Sequence, residues 1–107
     1  MPIAQLSVTE LKNKIDRREP LFLLDVRETH EFKYAHIADS VCVPLNQIPE
    51  RCGELDTEQH IVVICHHGIR SQQAAAYLEH AGFKHIANLH GGIDAWSREC
   101  DASVPRY

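Results

Sequence analysis

The chain has 107 residues, 44% of them apolar, with eleven Lys and Arg against fifteen Asp and Glu for a net charge of -4. That length suits a single domain over residues 1–107 with a core of its own. The acidic balance argues against a general nucleic-acid binder, which needs a basic stripe, and apolar runs such as Leu21–Leu24 and Ile61–Ile64 are far too short to span a membrane.

Ser7-Val8-Thr9-Glu10 matches a capping box, in which Ser7 caps and Glu10 reaches back. With Leu11 and Ile15 at helical spacing it predicts a helix from about Val8 to Arg17. Past Pro20, Leu21-Phe22-Leu23-Leu24 is apolar on both parities and reads as a strand buried on both faces. It ends abruptly in Asp25-Val26-Arg27, and a short helix is expected over Glu28–Tyr34. Val41-Cys42-Val43 predicts a second short strand, stopped by Pro44, and Leu45 to Cys52 a helix interrupted by Pro49. Four β-branched residues, Ile61–Ile64, give the strongest strand signal. Ser71 to Ala81 is rich in helix formers, and Gly82 stands where a left-handed residue closes a helix, with Phe83 folding back on it. His85–Leu89 reads as a further strand, and Gly91-Gly92 precedes a last short helix carrying Trp96. Strands alternating with helices predict an α/β domain with a mostly parallel sheet, whose chemistry belongs at the carboxyl ends of the strands.

Two strands end in reactive residues. The first ends in Asp25-Val26-Arg27. The second runs into Cys65-His66-His67-Gly68-Ile69-Arg70-Ser71 and then a helix. A cysteine between a buried strand and a helix start faces unpaired N–H groups and a partial positive charge. A loop curled around the sulfur aims further N–H groups at it, Gly68 provides a position free of a Cβ, and Arg70 adds a fixed cation. All of these favour thiolate over thiol.

Together these stretches resemble a single-domain rhodanese. Leu23-Leu24-Asp25-Val26-Arg27 with Glu31-Phe32 is similar to the family's first motif. His36-Ile37 with Val43-Pro44-Leu45 is similar to its second, Cys65 to Ser71 to its active-site loop, and Gly91-Gly92-Ile93-Asp94-Ala95-Trp96 to its closing motif. The resemblance covers nearly the whole chain in the family's order. Two positions depart from the pattern: Ala35 stands where Gly usually precedes the His, and Asp39-Ser40 where a Gly-Ala pair follows. Asp tolerates left-handed backbone, so Asp39 is expected to keep that turn.

The resemblance implies a rhodanese-like fold, about five mostly parallel strands flanked by helices on both faces. It also implies a thiosulfate sulfurtransferase with Cys65 as nucleophile, His66 to Ser71 as the substrate-binding loop, and Asp25 and Arg27 in support. Cys65 takes the sulfane sulfur of thiosulfate or a persulfide donor, and a thiol, a protein or cyanide removes it. No metal or organic cofactor is implied, since the enzyme itself carries the sulfur. A protein-to-protein persulfide carrier would use the same Cys65 chemistry. A cysteine phosphatase or arsenate reductase is disfavoured by spacing: those related loops read Cys-x5-Arg, and Cys65-x4-Arg70 makes a smaller pocket.

For the supporting residues two readings stand. Asp25 bonds to the Cys65 loop and Arg27 sets its charge, or the two form a structural ion pair at a strand end. His66 and His67 are expected to lend backbone N–H groups with side chains turned to solvent, and no His-x-x-x-His or Cys-x-x-Cys pair suggests a metal site. Cys42 reads as core, Trp96 as a core anchor, and Cys52 and Cys100 lack an activating cation. The N-terminal stretch has neither the basic nor the apolar region of an export signal, so reduced thiols and a cytoplasmic location are expected.

Overall fold

Apolar residues of both parities in the two central strand segments require cover on both faces, and the fold supplies it. The computed structural model describes residues 3–107. Its strands are β1 (Ala4–Leu6), β2 (Phe22–Asp25), β3 (Val41–Cys42), β4 (His60–Ile64) and β5 (His85–Leu89), and all pair in parallel in the order β1-β5-β4-β2-β3. β4 lies at the centre. Its Ile61 and Val63 join Leu24 and Ile86 in the core on one face, while Val62 and Ile64 join Leu23 and Leu89 on the other. Val63 and Ile64 are fully buried on opposite faces, each contributing on the order of 1.5–3 kcal/mol of apolar burial.

The helices are α1 (Val8–Asp16), α2 (Thr29–Tyr34), α3 (Ile48–Arg51), α4 (Ile69–His80) and α5 (Gly92–Glu99). Ala74, Ala75 and Leu78 of α4 and Ile48 of α3 cover one face. Val8 and Leu11 of α1 with Ile93, Ala95 and Trp96 of α5 cover the other. The capping box at Ser7 and Glu10 forms in both directions, at 3.1 Å each. Gly82 is left-handed at φ 101°, and the Phe83 N–H closes on the Leu78 carbonyl at 3.0 Å.

Two expectations are corrected, and one strand appears for which the sequence carries no signal. The strand Ala4–Leu6 pairs in parallel with β5, a partner far along the chain that short local patterning does not reveal. The helix over Leu45 to Cys52 is broken into a 3-10 turn (Leu45–Gln47), one turn of α3 and a second 3-10 turn (Cys52–Glu54). Pro49 has no N–H to continue a helix through it, so it sits in the first turn of α3. α4 begins at Ile69, two residues before Ser71, which makes Gly68 its N-cap. Of the two departures from the rhodanese pattern, Asp39 does adopt the left-handed turn, at φ 68°, and Ala35 sits in extended backbone at φ -157°, which needs no glycine.

β2 leads outward to the β3 edge, and β4 leads through α4 to β5 on its other side. The chain therefore reverses direction beside the carboxyl end of β4, the position where parallel sheets hold their ligands. Cys65 is the residue immediately after β4.

Candidate active site

Cys65 is buried, only 1% exposed, at the mouth of the loop that joins β4 to α4. Its Sγ accepts the Gly68 N–H at 3.0 Å and lies 3.2 Å from Ser71 Oγ. Gly68 is left-handed at φ 108°, the conformation that turns its N–H back onto the sulfur. Among the described residues the N–H groups of His66, His67, Ile69 and Arg70 bond no acceptor. With the positive end of α4 they leave open donors in the loop that carries Cys65, the setting that suits an anion.

The loop is held from behind by α5. The Ile93 and Asp94 N–H groups donate to the carbonyls of Cys65 and His66 at 2.9 and 3.1 Å. This approach is why Gly92 is glycine: a Cβ there would lie 2.5 Å from the His66 carbonyl oxygen and closer still to that of Cys65.

A polar chain then runs away from the sulfur through buried groups. The Ser71 hydroxyl donates a short bond to Asn88 Oδ1, and Asn88 Nδ2 donates to the Gly68 carbonyl at 3.3 Å and to Gln5 Oε1 at 3.0 Å. The Gly68 carbonyl can only accept, so it fixes the amide orientation and with it the direction of the Ser71 hydroxyl. A thiol on Cys65 therefore donates to Ser71 Oγ; a thiolate holds the Gly68 N–H. Asn88 carries only a faint signal in the sequence. Its signal was an amide within His85-Ile86-Ala87-Asn88-Leu89, a strand otherwise buried among apolar groups, where a polar side chain needs partners.

Asp25 and Arg27 are both fully buried and bond each other: Nε to Oδ1 at 2.9 Å and Nη2 to Oδ2 at 2.6 Å. Arg27 also donates to the Ala35 carbonyl at 2.6 Å and to the Tyr107 hydroxyl at 2.9 Å. Asp25 makes no bond to the Cys65 loop among the described residues, so the ion-pair reading holds and the expected contact to the loop is corrected. A carboxylate at the end of a buried strand has to be neutralised on the spot, and Arg27 is two residues away.

Arg70 is not the free cation that the loop sequence suggested. Its Nη1 and Nη2 donate to Glu31 Oε1 and Oε2 at 2.7 and 2.9 Å, a bidentate pair. Glu31 also accepts the Glu28 N–H at 3.0 Å and the Tyr107 hydroxyl at 2.8 Å. The bond from Arg70, aided by the Glu28 N–H and the Tyr107 hydroxyl, overcomes the opposing effect of burial and holds the Glu31 carboxyl down at about 2. The carboxylate in turn pushes the Arg70 guanidinium above its usual range. Tyr107, on which the sequence carried no signal, also stacks on His66 with ring centres 4.0 Å apart and planes 6° apart.

His67 is exposed as expected. His66 is half-buried under Tyr107 rather than turned to solvent, and its Nε2 has no partner. Burial, with His67 alongside, lowers its basicity. Ile69 projects outward at the lip, 73% exposed. Cys42 is half-buried and its thiol points at the Arg27 carbonyl at 3.6 Å, not into the core. Trp96 is buried as an anchor under the sheet.

His66, His67 and Asp94 are the residues best placed to hold a metal, with one ligand atom each within 4.8 Å of one another. The Asp94 carboxylate, however, already accepts from Arg98 and Arg106, each at 3.1 Å.

Residues 7–99 match the family model described as the rhodanese-like domain. YtwF of Bacillus subtilis (strain 168), provisionally named a sulfurtransferase, is 39% identical over 99 residues, which are 92% of this chain and 95% of that one. YrkF of the same strain, provisionally named a sulfur carrier protein, is 39% identical over 95 residues, 89% of this chain but 51% of its own length. A protein of Allochromatium vinosum named sulfurtransferase is 33% identical over 96 residues, 90% of each chain. Among solved structures, a rhodanese-like domain protein from Staphylococcus aureus superposes with a TM-score of 0.85 at 27% identity, covering 98% of this chain and 99% of that one. A rhodanese-related protein from Thermoplasma volcanium gives 0.83 at 31% identity, covering 91% and 93%.

Proposed function

The chain belongs to the rhodanese-like domain family, with relatives named for sulfur transfer and sulfur carriage, and from that premise we propose that it is a sulfurtransferase that works through a persulfide on Cys65. The observation that carries this reading is the environment of one sulfur: Cys65 Sγ beneath the start of α4, with the Gly68 N–H at 3.0 Å and Ser71 Oγ at 3.2 Å.

The Cys65 thiolate attacks the outer, sulfane sulfur of a donor. With thiosulfate the S–S bond breaks, sulfite leaves with the bonding pair, and Cys65 becomes a persulfide anion. With a thiol persulfide a thiolate leaves instead. The open N–H groups of His66, His67, Ile69 and Arg70 then face the terminal sulfur and stabilise its charge. An acceptor nucleophile, a thiol or cyanide, attacks that sulfur and regenerates the thiolate, so two half-reactions alternate on one cysteine. A protein can stand on either side of the exchange, and a carrier role would use the same intermediate; the sulfur-carrier name of YrkF favours keeping that second reading.

Incubation with thiosulfate is expected to add about 32 Da, one sulfur, to the peptide carrying Cys65, removable by cyanide. Cys65→Ser abolishes both the adduct and thiocyanate formation, whereas Cys42→Ser, Cys52→Ser and Cys100→Ser keep most of the activity. An adduct on one of those three, or undiminished turnover by Cys65→Ser, overturns the reading. Rapid transfer from the Cys65 persulfide to a protein thiol, with slow transfer to small thiols, would assign the carrier role.

A further inference from the structure

The loop Cys65–Ser71 offers one fixed cation to a substrate, Arg70. Each of its Nη groups donates one bond to Glu31, and each Glu31 oxygen accepts two bonds. Oε1 accepts from Arg70 and the Glu28 N–H, and Oε2 accepts from Arg70 and the Tyr107 hydroxyl. The Glu31 side chain is 12% exposed and that of Arg70 35%, so the carboxylate is sheltered while the guanidinium keeps a partly open face. The other guanidinium groups around the site are also paired, Arg27 with Asp25 and both Arg98 and Arg106 with Asp94. Burial lowers the basicity of His66, which is half-buried under Tyr107. Among the described residues, what remains beside the exposed His67 to hold an anion is the set of open N–H groups at the start of α4.

We propose that Glu31 sets the donor preference of this site: by pairing Arg70 it withholds the loop's cation from a dianionic donor and leaves the site to persulfides whose leaving group is a single thiolate, on a small thiol or a protein. The proposal rests on the Cys65 persulfide reading. The chemistry separates the donors. Thiosulfate brings two charges, and the departing sulfite carries two. An alkyl persulfide brings one, and the departing thiolate carries one. A net positive charge beside Cys65 helps the first pair more than the second, whereas a neutral Glu31–Arg70 pair favours neither. The Tyr107 hydroxyl donates to Glu31 Oε2, and its ring lies over His66.

The test is the ratio of kcat/KM for thiosulfate to kcat/KM for 2-hydroxyethyl persulfide, measured on the native chain and two variants. Glu31→Gln removes the negative charge while its amide oxygen can still accept the Glu28 N–H, so α2 keeps its start. With Arg70 then unneutralised, the ratio is expected to rise roughly ten- to a hundredfold, the worth of one charge-assisted contact. Thiosulfate turnover should also become more sensitive to salt than in the native chain. Glu31→Gln/Arg70→Gln removes both charges, and the ratio is expected to return to within about threefold of the native value. A ratio unmoved by Glu31→Gln, with both donors still turned over, overturns the role of Glu31 alone. So does a double variant that keeps the raised ratio, because the gain would then not come from Arg70. Failure of the native chain to turn over either donor overturns the sulfur-transfer reading itself and this proposal with it.

Discussion

Replacing Arg27 by Met tests whether the Asp25–Arg27 pair serves the architecture. Met keeps much of the apolar stem and removes the guanidinium. Asp25 is fully buried, and after the change it retains only the residue-27 N–H, at 3.1 Å, where it had three bonds to the Arg27 side chain at 2.6–3.1 Å. The Ala35 carbonyl and the Tyr107 hydroxyl lose their donors as well. Stranding one member of a buried pair costs about 3–5 kcal/mol. That is a large share of the ~5–15 kcal/mol that holds a domain together. For a chain of this size it amounts to a fall of roughly 12–20 °C in Tm, read by circular dichroism at neutral pH. Asp25→Leu/Arg27→Met removes both charges together and is expected to be more stable than Arg27→Met alone. A fall of less than about 1 kcal/mol in Arg27→Met, or a double variant no better than the single, would refute the account of a carboxylate that depends on its neighbour.

Three further outcomes follow from the loop and its supports. Gly92→Ala puts a Cβ against the carbonyls of Cys65 and His66 at a left-handed φ of 60°. It should cut sulfur transfer on the order of a hundredfold, as an ångström-scale shift of a reacting group does, and lower the unfolding midpoint in urea. Ser71→Ala removes the oxygen 3.2 Å from Cys65 Sγ and the donor to Asn88. The Ser71 proton is committed to Asn88, so the cost falls on the bond that steadies the Asn88 amide against the Gly68 turn; one such bond is worth about 0.5–1.5 kcal/mol, so kcat/KM should drop about two- to tenfold with the fold intact. Glu31 titrates at about 2 when folded against an ordinary 4.5, because of its bond from Arg70. A depressed carboxyl contributes stability that is full above 4.5 and is lost as the pH falls through about 2. Urea unfolding should therefore show the native chain's advantage over Glu31→Gln narrowing across that interval; an advantage independent of pH would contradict the pairing.

What the sequence alone determined was local. Ile61–Ile64 could be nothing but a doubly covered strand, because four β-branched residues leave no polar face. The capping box at Ser7, the left-handed Gly82 and the turn at Asp39 depend on atoms a few residues apart, so their chemistry is written in order along the chain. The loop from Cys65 to Ser71 was legible for the same reason: strand end, Gly68 and helix start are adjacent, and they bring the Gly68 N–H onto the sulfur. The tertiary structure decided everything that depends on which segments become neighbours. The strand Ala4–Leu6 exists because β5 presents an edge to it. Arg70 meets Glu31 across 39 positions of chain, and Arg27 meets Tyr107 across 80. An isolated arginine reads as a free cation in a loop. Only the crossing of α2 beside the start of α4 brings a carboxylate to it, and that contact turns a binding charge into a neutral pair.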